Sequence, residues 1–211
     1  KVVIYLNSSG TSLFKRAYRE KIHKASLNEA LAAGIILLSG WKPGQPFYDP
    51  MCGSGTFCIE AAMMGRNIPA GYYRKGFAFQ KWHHFDNRLF NKIVKEAREN
   101  ILHKRLPIFG FDNISANIEL SRQNSRRILI HNFVRFKKAE FSDFKPEEPG
   151  IIIINPPYGE RLEDESDLET LYELMGDVLK SNCQDSNAFI LSGNQELDKH
   201  IGLRTKNKLP L

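Results

Sequence analysis

Long apolar runs, paired cysteines and phosphate-gripping signatures are all missing from this chain of 211 residues. No stretch approaches the ~20 apolar residues of a membrane-spanning helix, and no charged-then-apolar leader opens the sequence. No membrane partner is therefore expected. Cysteine is scarce: Cys52, Cys58 and Cys183 make an odd set of three. A disulfide framework is not expected from them, so the expected compartment is reducing, the cytoplasm. No Cys-x-x-Cys occurs, and His83 and His84 are neighbours expected to point apart, so no metal is expected either. Internal repeats and low-complexity stretches are absent. Acidic residues are outnumbered, 24 Asp and Glu against 30 Lys and Arg, for a net charge of +6. Such a balance favours a polyanionic partner over an acidic protein one.

The basic residues cluster. Lys15, Arg16, Arg19, Lys21 and Lys24 come early, then Lys104-Arg105, then Arg122, Arg126 and Arg127, then Arg135, Lys137 and Lys138. Aromatic residues interleave with basic ones in Tyr72-Tyr73-Arg74-Lys75-Gly76-Phe77, a mixture suited to stacking on unpaired bases and gripping phosphates. Any single cluster reads as a solvated helix face. Their sum argues for nucleic acid.

Hydrophobic periodicity predicts helices over Leu27–Ser39, Asp86–His103 and Leu168–Lys180, and strands over Val2–Leu6 and Ala188–Leu191. With the strands below, the alternation predicts an α/β fold, a doubly wound, mostly parallel sheet. At 42% hydrophobic the chain has mass for one well-filled domain. In such sheets ligands sit at the C-terminal ends of strands.

One strand end stands out. Ile151-Ile152-Ile153-Ile154 is continuous and β-branched, as suits a strand buried on both faces. It stops at Asn155-Pro156-Pro157-Tyr158-Gly159, because proline has no N–H to continue a ladder. An amide, free prolyl carbonyls and an aromatic ring remain there. Asn155 and the Pro156 carbonyl can accept from an exocyclic NH2, while Tyr158 stacks on the ring that carries it. The alternative is a plain turn.

A second element precedes it by about a hundred residues. Phe47-Tyr48-Asp49-Pro50-Met51-Cys52-Gly53-Ser54-Gly55-Thr56 joins a short apolar stretch to the apolar helix Phe57–Ala62. Gly53 and Gly55 permit close backbone approach, and the helix start offers free N–H groups. A P-loop would need Gly-Lys-Ser/Thr, and a dinucleotide fingerprint would need Gly or Ala where Cys58 stands.

Pro107–Asp112 predicts the next strand, with a helix from Ile114. Asp112, with Asn113 beside it, can accept ribose hydroxyls or can simply cap that helix. The interval to Asp112 is long, which points to an insertion over 63–105. A third strand is expected from Val134 to Asp143, where Asp143 and the Phe144 N–H could read an adenine amine.

Asn155–Tyr158 resembles the Asn-Pro-Pro-Tyr signature of methyltransferases that act on nucleobase or glutamine amino groups. Asp49–Thr56 resembles motif I of S-adenosylmethionine (SAM) methyltransferases. With Leu13–Arg19, Ala25–Ala33, Phe77–Trp82, Ser192-Gly193-Asn194 and Ile201–Arg204, the chain resembles the THUMP-associated RNA methylases. The bacterial 23S rRNA guanine-N2 methyltransferases are the best match within them, although those more often carry Pro where Ser26 stands. The resemblance spans nearly the whole chain. It implies a seven-stranded SAM-dependent methyltransferase sheet lacking its last strand, with residues 1–24 leading in from an RNA-binding THUMP region. It further implies SAM as cofactor, held by Asp49, Pro50, Met51, Cys52, Gly53, Gly55, Thr56, Asp112, Asn113, Asp143 and Phe144. Catalysis falls to Asn155, Pro156, Pro157 and Tyr158, with ribosomal RNA as substrate and guanine N2 as the methylated atom. Three alternatives stand beside it: a DNA adenine-N6 methyltransferase, a glutamine methyltransferase, and a non-catalytic RNA-binding module.

Overall fold

The computed structural model describes residues 2–19, 27–157 and 165–210. Five strands form one parallel sheet: β1 (Phe47–Asp49), β2 (Ile108–Asp112), β3 (Arg135–Lys138), β4 (Ile151–Ile154) and β5 (Asn187–Ile190). Their order is β3-β2-β1-β4-β5. The chain winds outward from β1 to β3, then returns to the other side of β1 to lay down β4 and β5. That reversal places a topological switch point between β1 and β4, the crevice where open α/β sheets bind ligands. Five strands of the expected seven lie among the described residues.

The tetra-isoleucine strand shows why both faces must be covered. Ile151 and Ile153 enter a core with Phe47, Ile108 and the helices α1 (Glu29–Leu38) and α2 (Thr56–Gly65). Ile152 and Ile154 point the other way, into a core with Tyr48, Tyr172, Met175 and Leu179. The latter three sit on α5 (Glu165–Asn182). Strand alternation thus divides one apolar run between two cores.

Local signals set the helix starts. Asn28 caps α1 by accepting from the N–H groups of Ala30 and Leu31, and Asp86 caps α3 (Asn87–Glu99) by accepting from Leu89. Asn194 caps the short α6 (Gln195–His200) in the same way. The helix expected to run to His103 stops at Glu99, capped by Asn100.

Three expectations need correction. Val2–Leu6, read as a strand, joins no ladder and lies exposed. The third strand ends at Lys138, not Asp143. Beyond Asp112 its neighbour β2 has no ladder left to offer, and the last bond is the Ala139 N–H to the Asp112 carbonyl at 3.1 Å. The chain then turns as a 3-10 helix over Phe141–Asp143, sending Phe141 and Phe144 into the second core. Finally, His83 and His84 do not point apart; their ring centroids are 4.9 Å from each other. Among the described residues no cluster of metal-ligating side chains forms, and no helix is long and apolar enough to cross a membrane.

Helix α2 runs to Gly65, and the long connection to β2 holds α3 and a knot of four rings, Phe77, Phe79, Phe85 and Phe90. Arg74 ties this connection to the early strap by donating to the carbonyls of Ser9, Thr11 and Ser12. On the opposite side of the sheet, α5 packs on α6 at Gly176, where an added Cβ would lie 1.8 Å from the Ile201 carbonyl oxygen. Alanine in a helix is worth about 1 kcal/mol over glycine, whereas forcing backbone apart costs about 1–3 kcal/mol or more. Gly176→Ala should therefore lower the urea midpoint. A raised midpoint would show that the Ile201 turn is not seated on α5.

Candidate active site

Central strand β1 ends at Asp49, which is 1% exposed. Its Oδ1 accepts from the Met51 N–H at 3.3 Å. Burial pushes the Asp49 carboxyl up to about 8; that N–H works against the shift and the nearby charge of Asp112 adds to it. A poorly paired, buried acid at a strand end is prepared for a cation.

After Pro50 the backbone turns back on itself. The Cys52 N–H donates to the Phe111 carbonyl of β2 and the Gly55 N–H to the Cys52 carbonyl, each at 2.8 Å. Gly53 (φ +51°) and Gly55 (φ +81°) both sit in the left-handed region that glycine alone occupies cheaply. They differ in surroundings. A Cβ on Gly55 would meet Phe136 and Ser121 at 2.9 Å, so Gly55 is locked under β3 and α4 (Ser115–Arg127). A Cβ on Gly53 would meet nothing within 4 Å, so that side of the loop is open. Gly55 also begins α2 without a capping side chain, leaving the helix N–H groups uncapped from that position.

Asp112 closes the loop from the β2 side. Its Oδ2 accepts from the Gly53 N–H at 2.9 Å, and its Oδ1 accepts from the Ile114 N–H at 2.9 Å and Asn117 Nδ2 at 3.0 Å. An ionised carboxylate offers about four acceptor positions, so among the described residues three are filled and one remains on Oδ2. The helix-start role of Asp112 is thus real and occupies Oδ1, leaving room for one hydroxyl rather than two. Asn124 grips the loop from α4, donating to the Ser54 carbonyl at 3.0 Å.

At the end of β4, across the switch point, stands Asn155. Its Oδ1 is buried and meets no hydrogen-bond donor among the described residues. Pro156 is buried and Pro157 half-buried beside it; Tyr158 lies outside the described residues.

Other expected positions fare differently. Asn113 is exposed and donates to Glu140 at 3.3 Å. Asp143 is exposed on the 3-10 turn instead of at a strand end, and the Phe144 N–H is already used by the Phe141 carbonyl at 3.0 Å. Cys52 and Cys58 are buried free thiols, and burial raises both well above the ordinary thiol value, which suits walls rather than nucleophiles. Asn117 and Asn124 had no motif to mark them, and Arg19 was marked only as part of the lead-in and of a basic cluster. A buried Asn within an amphipathic helix is the trace Asn124 leaves. Two of the clustered basic residues are structural: Arg16 pairs with buried Glu60 at 3.4 Å, and Arg122 donates to the Phe136 carbonyl at 2.8 Å.

Residues 16–211 match the model of the family described as RMKL-like, methyltransferase domain. The chain belongs to that family. The ribosomal RNA large subunit methyltransferase K/L of Photobacterium profundum is 37% identical over 218 residues, covering 100% of this chain and 31% of that protein. The crystal structure of SMU.472 complexed with SAH, the demethylated form of SAM, superposes with a TM-score of 0.88 at 40% identity, over 95% of this chain and 52% of that one. A structure from Listeria monocytogenes, described as a predicted N6-adenine-specific DNA methylase, gives 0.88 at 35% identity, over 96% and 53%. The chain spans from 29% to 55% of the curated relatives' own lengths. The doubly wound methyltransferase fold is thereby shown.

The Asp49 environment yields a prediction about stability. Its folded pKa, about 8, lies above the unfolded value near 3.9. Between these values the unfolded chain has already lost the proton that the folded chain keeps, so this group's contribution is full below pH 4 and lost as pH rises towards 8. One titrating group accounts for about 1.4 kcal/mol per pH unit at most. Asp49→Asn cannot ionise and should lose less stability between pH 5 and pH 9 than the parent, measured by urea unfolding. Parallel pH profiles would contradict the buried, protonated acid.

Proposed function

We propose that this domain transfers a methyl group from SAM to an exocyclic amine of a base in ribosomal RNA, with guanine N2 of the large-subunit RNA as the target. The observation that carries the reading is Asn155 Oδ1, a buried acceptor without a donor among the described residues, at the switch point beside the Asp49 loop. Leaving such a group unsatisfied costs about 1–3 kcal/mol. A substrate NH2 would remove that cost.

The residues present fit SAM. Asp49 suits the cationic ammonium of its methionine end, the open side of Gly53 admits close approach, and the free position on Asp112 Oδ2 suits a ribose hydroxyl. Bound there, SAM supplies an electrophilic sulfonium methyl. The remaining work belongs to the chain. An exocyclic amine is a poor nucleophile because its lone pair is delocalised into the base. Asn155 Oδ1 and the Pro156 carbonyl, accepting from its two N–H groups, favour a pyramidal nitrogen with the lone pair free for in-line attack. The C–N bond forms as the S–C bond breaks, and the same dipoles stabilise the positive charge that develops. The alkylated nitrogen is acidic, so its proton passes to water without a strong base. Tyr158 is assigned to stacking on the base once it has left its helix.

Family membership and the basic balance of the chain favour RNA. The likeness to a structure described as a DNA methylase keeps adenine N6 of DNA as the second reading. Protein glutamine is disfavoured by the net charge of +6. We assign residues 1–24 to a lead-in from an RNA-binding region and 63–105 to an insertion within a single domain, in keeping with the greater length of the relatives.

Tritiated SAM, offered with ribosomal RNA transcripts and with duplex DNA, separates the readings. Label should enter RNA, and digestion should place it in N2-methylguanosine; label confined to DNA adenine would overturn the RNA assignment. Asn155→Ala should slow transfer by a factor of about 10² or more while leaving SAH affinity within a few-fold. An unaltered rate would remove Asn155 from the chemistry.

A further inference from the structure

We propose that Arg19 is a binding residue for the carboxylate of the cofactor's methionine end, a role that rests on the SAM reading above. Its sequence neighbours suggested a surface cation for nucleic acid. The structure puts it elsewhere: the Arg19 side chain is only 5% exposed. Its Nη2 donates to the Thr56 hydroxyl, on the first residue of α2, directly after Gly55. Thr56 Oγ1 in turn lies 3.3 Å from Ser54 Oγ, so the guanidinium is anchored on the glycine loop itself.

Among the described residues, what surrounds the guanidinium does not satisfy it. Nη1 approaches Glu29 Oε1 at 3.7 Å, an ion pair too long for a good hydrogen bond, and Nε is buried with no partner among the described residues. Arginine carries five N–H donors in a rigid fork. Buried donors in native proteins are nearly always paired, and a buried charge requires both a counter-charge and hydrogen bonds. Glu29 supplies charge; an acceptor is still wanted. The group that matches a planar fork is a planar anion with two oxygens, a carboxylate.

The loop determines whose carboxylate. Asp49 is suited to the methionine ammonium, and ammonium and carboxylate share one carbon, so they must be received side by side. Asp49 and Thr56 are the two ends of the same turn. Arg19, held on Thr56, brings a buried cation to the end of that turn opposite in sequence to Asp49. A nucleic-acid phosphate is a poorer candidate, since a side chain 5% exposed cannot meet a polymer backbone without unfolding its surroundings.

The test varies the ligand as well as the protein. Calorimetry would use SAM, decarboxylated SAM, which keeps the ammonium, and 5′-methylthioadenosine, which lacks both groups. The unaltered protein should prefer SAM to decarboxylated SAM by roughly 10- to 100-fold, the loss expected for a charge-assisted bond. Arg19→Ala should weaken SAM by a similar factor and leave the other two ligands within about two-fold, and Arg19→Lys should recover part of the loss. Thermal unfolding of each variant reports whether the fold survives, and the ligand preference of the unaltered protein stands whether or not it does. Equal binding of SAM and decarboxylated SAM by the unaltered protein would overturn the proposal. So would a uniform loss for all three ligands in a folded Arg19→Ala. No binding of SAM, decarboxylated SAM or methylthioadenosine by the unaltered protein would instead bring down the cofactor reading, and this inference with it.

Discussion

One carboxylate, Asp112, connects the parts on which the site depends. Through Oδ2 it holds the Gly53 N–H, and through Oδ1 it holds the start of α4. Strand β2 thereby fixes the turn that follows β1, and the helix that follows β2 is set at the same point. Asn124 on that helix returns to the turn at the Ser54 carbonyl. The glycine loop is clamped from two directions by groups whose own positions follow from β2. A loop held this way needs little reordering when a ligand arrives, which is how a small site reaches useful affinity.

Why those groups meet follows from the sheet. Parallel strands all end at one edge, and the switch between β1 and β4 opens a crevice there. Asp49 comes from β1, Asp112 from β2 and Asn155 from the end of β4, residues separated by up to about a hundred positions. The two-sided burial of Ile151–Ile154 is what keeps β4 central and its terminus at the crevice. Chemistry at Asn155 therefore rests on packing that involves no polar group.

Much of this was legible in the residues. A continuous isoleucine run suits a strand covered on both faces, and the two prolines after it mark where its ladder stops. Asp86 opened an expected helix because its side chain competes locally for backbone N–H groups, a contest independent of the rest of the fold, and Asn28 and Asn194 cap α1 and α6 by the same contest. What misled was context. Val2–Leu6 has strand chemistry, yet a strand exists only with a partner. Residues 139–143 look able to continue β3, yet β2 ends first and two phenylalanines gain more by turning inward. Asp143 moved off the strand end for that reason. Arg16 and Arg19 counted as surface charge because a sequence does not show which cations will find a buried acid.

The central claim is that the open side of the Asp49–Thr56 turn receives SAM, with its reactive end towards Asn155. A crystal structure of this chain soaked with SAH tests it most directly. The account predicts the ligand over Gly53, its ammonium within hydrogen-bond reach of Asp49, a ribose hydroxyl on Asp112 Oδ2, and its sulfur facing the end of β4. SAH bound away from that turn, or with its sulfur directed away from Asn155, would contradict it.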